Sequence, residues 1–219
     1  MLKLHGFVQS SYYSMVKLTL REKGLPFEEV HVALGADGKL VPDESYREKN
    51  PIAKVPCLET DSGFLSETSA IIDYLDVLGT GPSFYPADPF EKAKVRELIK
   101  YLELYIELPA RRLYGELSGR PVSDGEKQTV RGLLEDGFGA LVRLARFDPY
   151  ITGREITYAD FFAYYALPNA TWMTKTVYGW DTYRTISGLK PLIELMRQRE
   201  TIERIAAERM AAPPVGDGS

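Results

Sequence analysis

Four short stretches of this 219-residue chain carry side chains able to do chemistry. The first is Ser66-Glu67-Thr68-Ser69, which opens the apolar run Ala70, Ile71, Ile72, Tyr74, Leu75, Leu78. Hydroxyls and an acid at a helix start serve capping and the helix dipole. The same groups could also bind a ligand. Free N–H groups and a hydroxyl at a helix N-terminus hold an anion such as a carboxylate, and Glu67 beside them holds an ammonium. An α-amino acid carries both groups on one carbon. The second stretch is Val55-Pro56. Read plainly, the proline opens a strand. A cis bond there would turn the Val55 main chain outward, and an extended peptide could dock along it as an added strand. The third is Ser10-Ser11-Tyr12-Tyr13-Ser14, between a short apolar run and a helical one. It either caps the helix or presents a hydroxyl that donates to an anion. The fourth is Gly153 to Asp160. Thr157 caps the Asp160 N–H, Asp160 reaches back to the Thr157 N–H, and Ile156 precedes them as the staple residue. That box is structural and carries no chemistry.

Other chemistries are excluded by what is missing. No Ser-His-Asp arrangement is present, so a serine nucleophile is not expected. A single cysteine, Cys57, excludes an internal disulfide, dithiol redox chemistry and a cysteine-rich zinc site. In an apolar strand it reads as a small buried residue. Two histidines, His5 and His31, are too few for most transition-metal sites, so no metal is expected. No phosphate loop of the Walker type occurs. The composition, 44% hydrophobic and 26% charged, is that of a globular chain. No run approaches the roughly 18 apolar residues of a membrane span, and Met1–Val8 does not read as a signal peptide. The net charge is −4, with 8 Lys/Arg and 12 Asp/Glu in residues 1–86 and 19 of each thereafter. No basic stripe points to nucleic acid. The expectation is a cytoplasmic protein without a membrane or nucleic-acid partner.

The elements that must position these residues are legible in outline. Lys3–Phe7 reads as a strand. A helix from about Ser11 carries Val16, Leu18 and Leu20 and stops at Gly24, with Pro26 beyond. Phe27–Val32 is a second strand, so the start is β-α-β with parallel strands. Asp37-Gly38 is a turn, and Pro42–Lys49 is a short helix or loop. Val55–Glu59 is a strand, Asp61-Ser62-Gly63 a hairpin turn into Phe64-Leu65. A helix follows, capped by Ser66 or Thr68. Gly79–Pro89, with two glycines and three prolines, is a linker. Everything after it reads helical. Glu91 to about Leu117 has apolar residues near a 3.6 period, and Pro109 should kink it by freeing the carbonyl of Tyr105. Further helices start at Ser123 and Thr157 and cover roughly Leu189–Arg199 and Thr201–Met210. The tail Ala211–Ser219 should fray.

Taken together, these residues resemble the glutathione transferase superfamily, from Met1 to about Met210. Leu4-His5-Gly6-Phe7 followed by Ser10 and Val16 looks like its serine-type active-site segment. Glu22-Lys23-Gly24-Leu25-Pro26-Phe27-Glu28 looks like the helix-to-strand turn. Asn50-Pro51-Ile52-Ala53-Lys54-Val55-Pro56 resembles the segment that ends in a cis-proline. Glu67 to Leu75 resembles the start of the γ-glutamyl-binding helix, with Thr68 in the usual serine place. Gly153, Thr157, Ala159 and Asp160 resemble the capping box of the helical domain. Two departures stand out: Ser11 follows Ser10 where proline is frequent, and Met15 replaces a common basic residue. Lys39 is the nearest basic candidate for the glycine end of the ligand in the loop before Asn50.

The resemblance implies an α/β thioredoxin-like domain (1–78), a linker (79–88), an all-helical domain (89–210) and a tail (211–219), paired as a homodimer. It implies glutathione as co-substrate and a small electrophile as its partner. Glu67 and Thr68 would hold the γ-glutamyl group. The Val55 main chain, before a cis Pro56, would pair with the cysteinyl part, and Lys54 would reach the glycine carboxylate. A free thiol has a pKa of about 8.5, and a hydroxyl donated to the sulfur lowers it. The dipole of the first helix acts in the same direction. Ser10 is the expected donor, with Ser11, Tyr12 and Tyr13 as competitors. Tyr105, Pro109 and Arg112 fall at i, i+4 and i+7. If that stripe faces the first domain, it lines the acceptor pocket with Tyr13 opposite, and Arg112 favours acceptors carrying a carboxylate. The plain alternative is core or dimer packing. Three functions follow from the resemblance: a glutathione transferase, a glutathione-dependent isomerase suggested by Ser10-Ser11, or a binding module without turnover.

Overall fold

A computed structural model gives the fold and describes residues 1–33, 44–79, 81–117 and 119–212. The expected Asp37-Gly38 turn, Lys39, the start of the Pro42–Lys49 segment, Thr80 of the linker and most of the tail lie outside the described residues. The chain divides into two compact units. One comprises Met1–Ser83 and the chain from Arg199 onward. The other is Phe84–Gln198.

In the first unit, β1 (Leu2–Gly6), α1 (Ser11–Glu22) and β2 (Phe27–His31) form the expected β-α-β unit. The strands run parallel, with Leu2 opposite Phe27 and Gly6 opposite His31. Then come α2 (Glu44–Lys49), β3 (Cys57–Thr60), β4 (Gly63–Ser66) and α3 (Thr68–Asp76). The sheet order is β2-β1-β3-β4, with β3 antiparallel to both neighbours. This is the thioredoxin-like topology. Strand periodicity decides the two faces. Leu4 and Leu58, opposite each other, turn to Val16 and Leu20 of α1 and Ile71 and Leu75 of α3. Val32 and Cys57 pack with Tyr46 and Ala53 in a second cluster. After α1, Gly24 takes φ +64°, a left-handed conformation that explains why the helix stops at glycine.

The last helix, α10 (Glu200–Ala211), counts with this unit. It buries Ile202 and Ile205, and ion pairs join this end of the chain to α1. Glu208 binds Lys17 at 2.5 Å and Arg21 at 2.6 Å, and Arg199 reaches Glu22 at 2.6 Å. The Lys17 side chain is 3% exposed and also meets Glu29 at 2.6 Å, so its charge is matched on both sides.

The second unit is helical throughout: α4 (Pro89–Tyr101), a π-helical segment Leu102–Glu107, α5 (Leu108–Arg111), a 3₁₀ turn Tyr114–Leu117, α6 (Asp124–Leu144), α7 (Tyr158–Tyr178), α8 (Thr182–Thr185) and α9 (Leu189–Arg197). The caps follow local rules. The Asp88 carboxylate accepts from the N–H groups of Phe90 and Glu91, with Pro89 in the first turn, so α4 starts two residues before the expected Glu91. Ser123 accepts from the Glu126 N–H. Thr157 and Asp160 form the expected capping box. α7 is buried around most of its circumference, through Phe161, Phe162, Tyr165, Leu167 and Met173 among others.

Pro109 acts differently from the expected kink. The Leu108 N–H bonds back five residues to the Glu103 carbonyl, so the helix absorbs the missing donor as a π turn. Gly137 of α6 sits against the Tyr105 carbonyl: a Cβ there would lie 2.1 Å from that oxygen. Only glycine permits this approach.

Candidate functional site

Strand register brings the chemical stretches together. His5 lies opposite Cys57, and Cys57 opposite Ser66. The end of β1, the start of β3 and the end of β4 therefore share one end of the sheet. The chain leaves β1 toward Ser10, enters β3 from Pro56, and leaves β4 into Glu67. The N-termini of α1 and α3, the positive ends of their helix dipoles, begin at this same end.

At the first helix, Ser10 is the N-cap, and its Oγ accepts from the Tyr13 N–H at 3.3 Å. Its own N–H bonds to the Phe7 carbonyl at 3.1 Å. The Ser14 hydroxyl donates to the Val8 carbonyl at 2.8 Å and pins the connecting turn. A hydroxyl that accepts at its oxygen still has its proton to donate. Ser10 and Tyr12 are half-buried, whereas Ser11 and Tyr13 are buried. Tyr13 donates to Glu29 at 2.5 Å and belongs to the core around Leu4 and Ile71. Burial, and then the Glu29 hydrogen bond, push its phenol far above the usual range. The Tyr13 hydroxyl, expected as a competing thiol donor or part of an acceptor pocket, is thus engaged inside its own unit.

The second stretch has the expected cis Val55–Pro56 bond. Lys54 extends an exposed side chain, and Val55 is half-buried. At the third, the helix cap is Glu67, not Ser66 or Thr68. Glu67 has φ +68° and ψ 115°, a region that non-glycine residues rarely occupy. Its side chain makes no capping hydrogen bond and is exposed. Thr68 is the first residue of α3 and is 4% exposed. Hence a carboxylate and two helix starts face the end of the sheet beside the cis-proline. That constellation can take an ammonium and an anion at once and present a hydroxyl to a third group.

Tyr105, Pro109 and Arg112 do not form one stripe. A π-helical segment, Leu102–Glu107, interrupts the α-helical spacing, and Pro109 is buried while Tyr105 is 48% exposed. Tyr105 packs on Tyr101 with ring centroids 5.0 Å apart. The Arg112 guanidinium is paired with Glu126 at 2.6 Å. Cys57 is fully buried, and burial pushes its thiol up to about 11, consistent with an inert core residue. Among the described residues, no group of three or more His, Cys, Asp or Glu could hold a metal ion, and no helix is long and apolar enough to cross a membrane.

Sequence reasoning gave no role to Tyr46, Asn50 or Lys17. Asn50 lay within a quoted segment, but nothing local signals that its amide grips a carbonyl. Lys17 sits in the apolar stripe of α1, and its partner Glu208 follows only in the last helix.

Comparison with known proteins agrees with this geometry. The family model for the glutathione S-transferase N-terminal domain matches residues 4–83. A glutathione S-transferase of Pseudomonas putida is 46% identical over 215 residues, 98% of this chain and 95% of the relative. The maleylacetoacetate isomerase of Mus musculus is 27% identical over 159 residues, 72% of each chain. Among solved structures, glutathione transferase F2 from Populus trichocarpa superposes with a TM-score of 0.78 at 19% identity, covering 97% of this chain and 100% of its own. That structural likeness bears on the fold alone. The near-full-length identity to a transferase sets aside the expectation of a module without turnover. The chain therefore belongs to the glutathione S-transferase family and is a transferase enzyme.

Proposed function

We propose that this chain binds glutathione at the sheet end formed by Glu67, Thr68, Val55 and Lys54, and that the Ser10 hydroxyl activates its thiol for attack on a small hydrophobic electrophile. The observation that carries this reading is the state of Ser10: it caps α1 as an acceptor and keeps its proton, at the end of the strand paired with β3. The thiol loses its proton to water, and the Ser10 O–H and the α1 dipole stabilise the thiolate. The sulfur then forms a bond to the electrophilic carbon, and the electron pair of the breaking bond leaves with the displaced group. No metal takes part in this scheme. We further assign the enzyme to the cytoplasm, and to Tyr105 and Arg112 an exposed position on the acceptor side. The Arg112 charge is already shared with Glu126.

Ser10→Ala is expected to raise the pKa of the bound thiol by roughly one to two units, the worth of a charge-assisted hydrogen bond of about 1.5–3 kcal/mol. Glutathione affinity should stay nearly intact, because one hydroxyl contributes little to a tripeptide held at both ends. Thiolate absorbance titrated against pH in Ser10→Ala, Ser11→Ala and Tyr12→Phe checks this. A shift confined to Ser11→Ala or Tyr12→Phe would move the role to that residue.

A second reading is reversible addition of the thiolate to a double bond, as in isomerisation. The Ser10-Ser11 pair and the relative named as a maleylacetoacetate isomerase favour it. Conjugation consumes glutathione, whereas isomerisation returns it, so a mass balance on glutathione separates the two. The assembly is proposed to be a two-fold homodimer. Light scattering at micromolar concentration is expected to give about twice the 24.7 kDa chain mass; a monomer mass would contradict it.

A further inference from the structure

We propose that Tyr46 and Asn50 are positioning residues that fix the Lys54–Val55 peptide plane and thereby set the affinity for glutathione; the inference rests on the reading of Val55 as the edge that meets the ligand. The Tyr46 hydroxyl donates to the Lys54 carbonyl at 2.8 Å. The Asn50 amide nitrogen donates to the same oxygen at 2.7 Å. Both donors are buried, at 7% and 5% exposure. Burial pushes the Tyr46 phenol well above its ordinary value, so it stays a donor at any working pH.

The consequence is geometric. A peptide unit is planar, and in its trans form the C=O and the following N–H point in opposite directions. The Lys54–Val55 bond is trans, whereas the next bond, Val55–Pro56, is cis. Two interior donors on the Lys54 oxygen therefore aim the Val55 N–H away from Tyr46 and Asn50. Among the described residues, no hydrogen-bond partner is found for that N–H. The rest of the turn is built around the same asparagine. The Asn50 Oδ1 accepts from the Ile52 N–H at 3.2 Å, and its main-chain carbonyl accepts from the Ala53 N–H at 2.7 Å. Ala53 is held at φ +53°, and the Asn50 N–H bonds to the Tyr46 carbonyl at 2.9 Å. The end of α2 and the ligand-facing peptide unit are thus one hydrogen-bonded piece. Without the clamp, the peptide plane rotates about its flanking Cα bonds, and an added strand loses the alignment of its main-chain bond.

Tyr46→Phe removes one oxygen and keeps the ring. It is expected to raise the Kd and KM for glutathione about 3- to 10-fold, the worth of one buried hydrogen bond. The kcat at saturating glutathione, with an activated aryl chloride as electrophile, should change by less than about twofold. The Val55 amide signal should shift, and its hydrogen exchange should quicken. Asn50→Asp, which replaces the donor by a carboxylate oxygen facing the Lys54 carbonyl, should show the same pattern more strongly. Unchanged affinity in Tyr46→Phe overturns the proposal, as does an affinity loss with the Val55 amide unmoved or with kcat and kcat/KM falling together. If the wild-type chain fails to bind glutathione by calorimetry, it is the glutathione reading that falls. The clamp is then decided by the Val55 amide alone: faster exchange in Tyr46→Phe supports it, and equal exchange overturns it.

Discussion

Asp160→Ala is expected to destabilise the helical unit by on the order of 2–6 kcal/mol, because it orphans two buried main-chain donors at about 1–3 kcal/mol each. Asp160 is fully buried at the third position of α7. It accepts from the Ile151 N–H at 2.7 Å and the Thr157 N–H at 2.7 Å, and from the Thr157 hydroxyl at 3.1 Å. One carboxylate thus closes the start of the central helix and ties down the preceding loop. The predicted loss is a large share of a typical stability of about 5–15 kcal/mol. Urea unfolding should show it as a lower midpoint with an unchanged slope. The same group makes stability depend on pH. Burial pushes its carboxyl up to about 6, against the pull of the Ile151 and Thr157 donors. The unfolded value is about 3.9, so the folded state binds the proton more tightly. The stability linked to this proton is fully present below about pH 4 and is lost as pH rises through about 6. Asn does not titrate. The stability difference between wild type and Asp160→Asn should therefore shift against the wild type between pH 4 and pH 7. A difference constant across that window would refute the assigned ionisation.

Glu67→Ala is expected to abolish most glutathione binding while leaving the fold nearly untouched. The Glu67 carboxylate is exposed and caps nothing, so its removal costs the chain little. Once an ammonium covers it, the pair is desolvated, and truncating one member costs about 2–5 kcal/mol. That is roughly a 30- to several-thousand-fold rise in Kd. Thr68→Ser should be mild, because the hydroxyl at the start of α3 is kept. Calorimetry that found equal affinity in wild type and Glu67→Ala would remove the proposed γ-glutamyl pocket. The left-handed backbone at Glu67 fits such a role, since strained positions persist where the surroundings hold a side chain toward a ligand.

What the sequence by itself determined were features whose causes lie within a turn or two of chain. Gly24 and Pro26 stop the first helix, Ser10 and Ser123 cap their helices, and Thr157 with Asp160 forms the box. The β-α-β start, the hairpin and the helix after it follow from periodicity and turn residues. The cis Val55–Pro56 bond lies in a contiguous segment and was legible as well. Tertiary structure decided what depends on distant partners. Tyr13 looked available until Glu29, on the neighbouring strand, took its hydroxyl. Lys17 and Arg21 hold the last helix through Glu208, which lies 187 residues beyond Arg21. Pro109 yields a π turn with the Tyr105 carbonyl lying against Gly137, a contact no window along α4 could contain. Helix propensity, capping and strand alternation act over the few residues whose backbone dihedrals they fix. The direction of a peptide plane or a buried charge is set by whichever donor the folded chain brings within about 3 Å, and only the assembled fold supplies that donor.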